Sequence, residues 1–160
     1  MSKLKVYLET SVVGYLTARP SHDVIKNAMQ LATQEWWEVS RNRIDLFISE
    51  LVIDEARRGD SEAARRRLDV VQGIRAVEIN ESVYALAEAL LAATAVPHSS
   101  FDDAVHIAAA AIAGVDILAT WNCKHIANPT TEPLIRKTCE NAGYRCPVIC
   151  TPLVLLKGGV

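Results

Sequence analysis

The sequence predicts an α/β fold in which helices cover a mainly parallel sheet, and three observations carry that expectation. Apolar runs of strand length alternate with longer stretches of helical periodicity. Half of the 160 residues are hydrophobic but only 6% are aromatic, so the core must be built from Val, Ile, Leu and Ala, which suits strands buried on both faces. No repeat, low-complexity run or Pro/Gly-rich linker divides the chain, so residues 1–160 read as one domain large enough to bury a real core.

The first strand, Lys5-Val6-Tyr7-Leu8, breaks abruptly into Glu9-Thr10-Ser11. A carboxylate rarely stands at a buried position without a partner, and ligands of open α/β sheets gather beyond the carboxyl ends of the strands, so Glu9 is the first candidate functional residue. If the strand continues, Ser11 shares the face of Glu9; if it turns into a helix, Ser11 is its N-cap. A short apolar helix over 12–17 then runs into Ala18-Arg19-Pro20. Ser21 is the expected N-cap of a longer helix reaching about Asn42, with Val24, Ile25, Ala28, Leu31, Ala32, Trp36 and Val39 as its apolar stripe. Adjacent Trp36 and Trp37 cannot both face one core, so one is expected buried and the other half-exposed.

A second strand over 44–48 ends in Ser49, which caps a helix over 50–58 that Gly59 stops. Ser61 opens the next helix, carrying Arg65, Arg66 and Arg67, and residues 77–79 read as a short strand or an extended connection. Residues 80–95 form a helix with Val83, Leu86, Ala87, Leu90 and Leu91 on one stripe. After Val96-Pro97-His98, Ser99 or Ser100 opens a helix over 101–113, so rich in alanine that it must pack closely. Gly114 closes it, and 116–121 reads as a buried strand with the polar exit Thr120-Trp121-Asn122. A loop over 122–130 leads to a helix with Thr131 as cap, Pro133 in its first turn and Gly143 past its end. Residues 147–150 form a last strand, and 153–160 fade as a tail.

A formal net charge of −2 gives no overall pull towards nucleic acid or anionic lipid. No stretch approaches the roughly 18 apolar residues of a membrane span, and the first residues lack the basic-then-apolar pattern of a secretory signal, so a cytoplasmic protein is expected. Cys123, Cys139, Cys146 and Cys150 lack C-x-x-C spacing, and disulfides are not expected in that compartment. A zinc site through Cys146, Cys150 and His125 is set against the simpler reading, reduced thiols packing as small hydrophobes.

Four polar groups stand where strands end or helices begin: Glu9, Glu55, Asp103 and Asn122. Singly, Asp103 complements the dipole of its helix, Glu55 is a solvated residue beside Asp54, and Asn122 closes a turn. Together they are what a hard divalent cation requires. Mg²⁺ prefers oxygen ligands and keeps several waters, so two or three carboxylates suffice without a tight local motif. Nothing favours a nucleophilic side chain: there is no Gly-x-Ser-x-Gly turn, and Cys123 has no base in argument apart from nearby His125.

Four phrases in order, Val6-Tyr7-Leu8-Glu9-Thr10-Ser11, Ile48-Ser49-Glu50-Leu51-Val52-Ile53-Asp54-Glu55, Asp103-Ala104-Val105-His106-Ile107-Ala108-Ala109-Ala110 and Leu118-Ala119-Thr120-Trp121-Asn122, resemble the successive blocks of PIN-domain proteins. The resemblance runs from Lys3 to about Leu155. It implies a three-layer α/β/α nuclease fold with a Mg²⁺ or Mn²⁺ site and, as in many small bacterial and archaeal members, a VapC-like toxin that cuts RNA and is silenced by an antitoxin. It implies Glu9, Glu55 and Asp103 as metal ligands, Asn122 where a fourth acid is frequent, and Ser11 and Thr120 as polar supports. Two departures stand out. Glu9 replaces the usual aspartate with a side chain one methylene longer, and Asn122 brings no charge, so a second ion would be held more weakly. These departures support the alternative reading, a PIN-like RNA- or protein-binding module without useful catalysis. Asp102 points about 100° away from Asp103 on the helix and reads as a solvated neighbour. A homodimer, through the helix of Trp36 and Trp37, is also expected.

RNA phosphates would meet Arg57, Arg58 and Lys124, although the acids interspersed among the arginines read equally well as a salt-bridged helical face. No aromatic interleaving in the sequence marks a stacking platform.

Overall fold

The structure, a computed structural model, describes residues 2–160. The apolar Val6-Tyr7-Leu8 run lies in β1 (Lys5–Leu8), the centre of a five-stranded sheet of order β3-β2-β1-β4-β5, with β2 at Asp45–Ser49, β3 at Arg75–Val77, β4 at Ile117–Ala119 and β5 at Val148–Cys150. Every neighbouring pair is parallel, and Val6 aligns with Leu46 on one side and Ile117 on the other. Parallel neighbours need crossovers, which the helices supply. These are α1 (Thr10–Thr17) and α2 (Val24–Ser40) before β2, α3 (Glu50–Ala56) and α4 (Ser61–Val71) before β3, α5 (Glu81–Ala92) and α6 (Phe101–Ile112) before β4, and α7 (Glu132–Asn141) before β5, with α8 (Pro152–Lys157) following.

α1 packs against α2 and α4, and α8 against α2, while α5 packs against α6 and α7. Val6, Tyr7, Leu8, Ile48, Leu118 and Ala119 are fully buried between the helices, as strands covered on both faces must be. α6 is buried from Ala104 to Ala111, and its small side chains let α5 approach closely. From β1 the sheet grows outward to β2 and β3, then returns to place β4 and β5 on the other side. The crevice beyond the carboxyl ends of β1 and β4 is therefore a topological switch point, where open α/β sheets bind ligands.

Several local expectations are corrected. β1 ends at Leu8, and Glu9 itself caps α1, its carboxylate accepting from the Ser11 N–H, so Ser11 sits inside the first turn. Asp23 and Asp60, rather than Ser21 and Ser61, cap α2 and α4, because their carboxylates reach the free N–H groups of Lys26 and Ala63. The extended segment after α4 is a paired strand, placed at Arg75–Val77 rather than 77–79. The tail does not fade. Thr151 caps α8, and the Val160 carbonyl beyond it accepts from Trp36 Nε1 at 3.0 Å and Ser40 Oγ at 2.7 Å. The expected stripe of α2 is split: Trp36 is buried and Trp37 half-buried, but Val24, Ile25, Leu31 and Val39 are exposed. The buried face carries Gln30, Thr33 and Ser40 instead, each with hydrogen-bond partners that make its burial tolerable.

Candidate active site

β1 delivers Glu9 to the switch point, where it is only 6% exposed. Ser11 Oγ and Thr120 Oγ1 donate to its Oε1 at 2.5 and 2.6 Å, and the Ser11 N–H donates to Oε2 at 3.0 Å. Thr120 arrives from the end of β4, whose Ala119 carbonyl accepts the Glu9 N–H at 3.0 Å. A buried carboxylate must be hydrogen-bonded, and here hydroxyls and a backbone amide meet that need without a cation. Ser11 and Thr120 thus stand against Glu9 as its positioning groups.

Glu55, on α3, accepts at Oε1 from Thr10 Oγ1 at 2.7 Å and meets His106 Nε2 at 2.5 Å. His106, on α6 and 1% exposed, shares its Nδ1 with the Tyr7 hydroxyl at 2.8 Å, and that hydroxyl pairs with Ser49 Oγ at 2.8 Å. Burial alone would leave both His106 and Glu55 neutral. The hydrogen bond between them overrides it: His106 is held above its ordinary pKa, aided by the Glu9 and Asp103 carboxylates, and Glu55 below its own, aided by the Thr10 hydroxyl and the charge of Arg58. Burial pushes the Tyr7 phenol far up, keeping it a neutral link. An imidazolium donates at both nitrogens, so a charged His106 serves Tyr7 and Glu55 at once.

Asp103, in the first turn of α6, shares its Oδ2 with His125 Nδ1 at 2.9 Å, and Ser100 Oγ lies 3.1 Å from the same nitrogen. Asn122 faces the loop rather than the acids. Its Oδ1 accepts the His125 N–H at 3.0 Å and its own N–H donates to Thr120 Oγ1 at 2.9 Å, so it fixes the turn that carries His125.

Among the described residues no three His, Cys, Asp or Glu side chains gather into a cluster able to hold a metal ion. The zinc grouping of Cys146, Cys150 and His125 is therefore not assembled. All four thiols are free, Cys139 and Cys146 buried, Cys150 half-buried and Cys123 exposed. What the acids leave available is oxygen. Glu55 Oε2 and Asp103 Oδ1 carry no hydrogen bond among the described residues, and Glu9 Oε2 carries one. Free carboxylate oxygens are the ligand type of Mg²⁺ and Mn²⁺, hard ions that accept one or two carboxylates and keep their waters.

Of the basic candidates, Arg57 pairs with Asp54 at 3.4 Å and Arg58 with Asp102 at 3.8 Å, all four largely solvated. Lys124, beside His125, is exposed and makes no ion pair among the described residues. Sequence reasoning missed the partners of the acids, Thr10, His106 and His125, and the Tyr7–Ser49 pair behind His106. One signal was present, since a tyrosine inside a buried strand must find a partner for its hydroxyl. It missed an aromatic pair as well, Tyr15 and Trp121, whose ring centroids lie 5.8 Å apart.

No protein-family model matches this sequence, and no curated protein does. A likeness is found among solved structures. A chain in the crystal structure of VapBC2 from Rickettsia felis bound to a DNA fragment from their promoter superposes with a TM-score of 0.58, over 92% of this chain and 98% of that one, at 13% identity. At that identity the likeness establishes the shared fold.

Proposed function

We propose that this protein is a divalent-metal-dependent endoribonuclease that hydrolyses RNA phosphodiester bonds, the toxin of a type II toxin–antitoxin pair. One observation supports the reading: the carboxylates of Glu9, Glu55 and Asp103 all act on the buried His106, with Glu9 at the carboxyl end of the central strand, in a fold shared with a chain of a VapBC2 complex.

Asp103 and Glu55 would hold Mg²⁺ or Mn²⁺ with Glu9 completing the negative wall, and the ion would supply activation of water and neutralisation of charge at the phosphoryl group. The chain's own residues position that wall. Ser11, Thr120 and the Ser11 amide fix Glu9, and His106 occupies Glu55 Oε1 so that Oε2 is the free oxygen. His125 does the same for Asp103, with Asn122 anchoring its turn. Lys124, and Arg58 on exchanging Asp102 for a phosphate, would meet flanking phosphates. An antitoxin segment would lie on the exposed apolar face of α2, at Val24, Ile25 and Leu31, and reach the acids with a basic side chain. The active species would be a homodimer, and light scattering showing a monomer at every concentration would contradict that part.

A second reading, an RNA- or protein-binding module without useful catalysis, is favoured by one observation: each acid is already hydrogen-bonded and no three-ligand cluster exists among the described residues. Stoichiometric Mn²⁺ binding, followed by calorimetry, excludes it in favour of the nuclease. The direct test incubates a mixed, structured RNA pool with the protein and Mn²⁺, Mg²⁺ or chelator, beside an Asp103→Asn variant. Metal-dependent cleavage lost in the variant is the expected result; intact RNA in every tube, without metal binding, overturns the nuclease reading.

A further inference from the structure

Beside the acids lies a groove with no role so far. α1 and α2 leave between them an open groove of about 360 Å³ whose lining includes Ser11, Gly14, Tyr15, Ala18, Lys26 and Gln30. Its inner wall is Ser11, whose hydroxyl donates to Glu9. Its aromatic wall is fixed in place. The Tyr15 ring leans at 52° against Trp121, and Trp121 is anchored by Nε1–H to Thr33 Oγ1 at 2.8 Å and by its backbone N–H to Ser11 Oγ at 2.9 Å. The rim is fixed as well, because the Gln30 amide accepts from the Ser21 N–H at 2.9 Å and donates to the Arg19 carbonyl at 3.0 Å.

Within this fixed frame two groups are uncommitted among the described residues. The Tyr15 hydroxyl makes no hydrogen bond, and the Lys26 ammonium has no carboxylate within 4.0 Å. A third feature concerns the floor. Gly14 sits inside α1, where glycine weakens a helix relative to alanine, yet a Cβ there would meet nothing within 4 Å. The chain's own packing does not account for that glycine, and it leaves the floor of the groove open.

We infer that this groove is a subsite for one unpaired nucleotide of the RNA strand, its base against Tyr15 over Gly14 and its phosphate towards Lys26. The inference rests on the nuclease reading and deepens it, by placing a nucleotide next to the scissile bond. An unpaired base has a flat π-face that stacks on an aromatic wall, and its phosphate answers the free ammonium. An apolar peptide segment would leave both the ammonium and the Tyr15 hydroxyl unanswered.

The test is binding of fluorescein-labelled, random-sequence single-stranded RNA, read by anisotropy with chelator present so that nothing is cut. Wild type is compared with Tyr15→Ala, Tyr15→Phe and Gly14→Leu, each with a thermal melt. Tyr15→Ala is expected to bind about tenfold more weakly and Tyr15→Phe nearly as wild type. Gly14→Leu fills the floor and is expected to lose as much as Tyr15→Ala while melting no lower than wild type. Equal binding by all four proteins overturns the subsite, and so does a loss confined to variants that melt early. Unchanged RNA binding together with altered binding of a purified protein partner also overturns it, assigning the groove to a protein segment. Cleavage with Mn²⁺ is scored separately. Wild type that cuts RNA while all four proteins bind alike refutes the subsite and leaves the nuclease; binding through the groove without cleavage under any metal keeps the subsite and refutes the nuclease.

Discussion

The two ends of β1 carry carboxylates of opposite character. At the amino end Asp116 accepts the Lys5 N–H at 2.9 Å and pairs with Arg145 at 3.1 Å. The backbone hydrogen bond first, and the guanidinium after it, hold its pKa below the ordinary carboxylate value. At the carboxyl end Glu9 takes hydroxyls and an amide, while Glu55 and Asp103 each take a histidine. None of these three has an arginine or lysine within 4.0 Å among the described residues. Asp116 has both oxygens engaged, one by an amide and one by a guanidinium, whereas the hydroxyls and amide on Glu9 bring no charge and the histidines on Glu55 and Asp103 each take one oxygen and leave the other free. The same strand thus has a closed acid at one end and open ones at the other, and only the open end lies at the switch point.

The largest expected effect on stability comes from His106, which ties α6 to β1 and α3. His106→Ala leaves the Tyr7 hydroxyl and the Glu55 carboxylate without their shared partner, and urea unfolding should report a loss of about 3 kcal/mol or more. A loss under about 1 kcal/mol would mean that the pair is no more than a surface contact. The pH dependence sharpens this. His106 is raised above its ordinary 6.5, so its contribution is complete below that value and is lost as pH rises through the folded pKa. Glu55 is lowered below its ordinary 4.5, so its contribution is complete above that value and is lost as pH falls through the folded pKa. The stability gap between wild type and His106→Gln should therefore be widest between about pH 4.5 and 6.5 and narrow above it. A gap that keeps growing towards alkaline pH would contradict a charged His106.

Thr120→Val keeps the shape of the side chain and removes one of the three donors to Glu9, together with the acceptor for the Asn122 N–H. The expected cost is about 1–3 kcal/mol by the same unfolding measurement. No change would show that Ser11 alone suffices. The smallest effect belongs to the closed acid. Asp116→Asn should cost less than about 1 kcal/mol, because an exposed ion pair contributes little and the amide oxygen can still accept from Lys5. An effect as large as that of His106→Ala would erase the distinction between the two ends.

Much of this was legible in the chain. Val6-Tyr7-Leu8 breaking into Glu9 located both the central strand and its polar carboxyl end, because buried runs and polar exits are local signals. Ser49, Thr131, Gly114 and Gly143 marked helix ends for the same reason, the last two with φ of +68° and +89°. What was not legible depended on partners remote in sequence. The apolar residues of α2 read as one core stripe, yet its buried face is set by Arg19, Trp121 and Val160, which give Gln30, Thr33 and Ser40 their hydrogen bonds. His106 was visible one turn after Asp103, but nothing local announced that Tyr7 and Glu55 would meet its two nitrogens. Tyr15 and Trp121 are likewise isolated aromatics until β1 and β4 pair.

The contrast between the two ends is tested most directly by measuring Mn²⁺-dependent RNA cleavage for Asp103→Asn and Asp116→Asn side by side, with both proteins shown to be folded. The open-acid account predicts that Asp103→Asn loses about a hundredfold or more of the activity while Asp116→Asn stays close to wild type. Equal losses in the two variants, or full activity in Asp103→Asn, would contradict it.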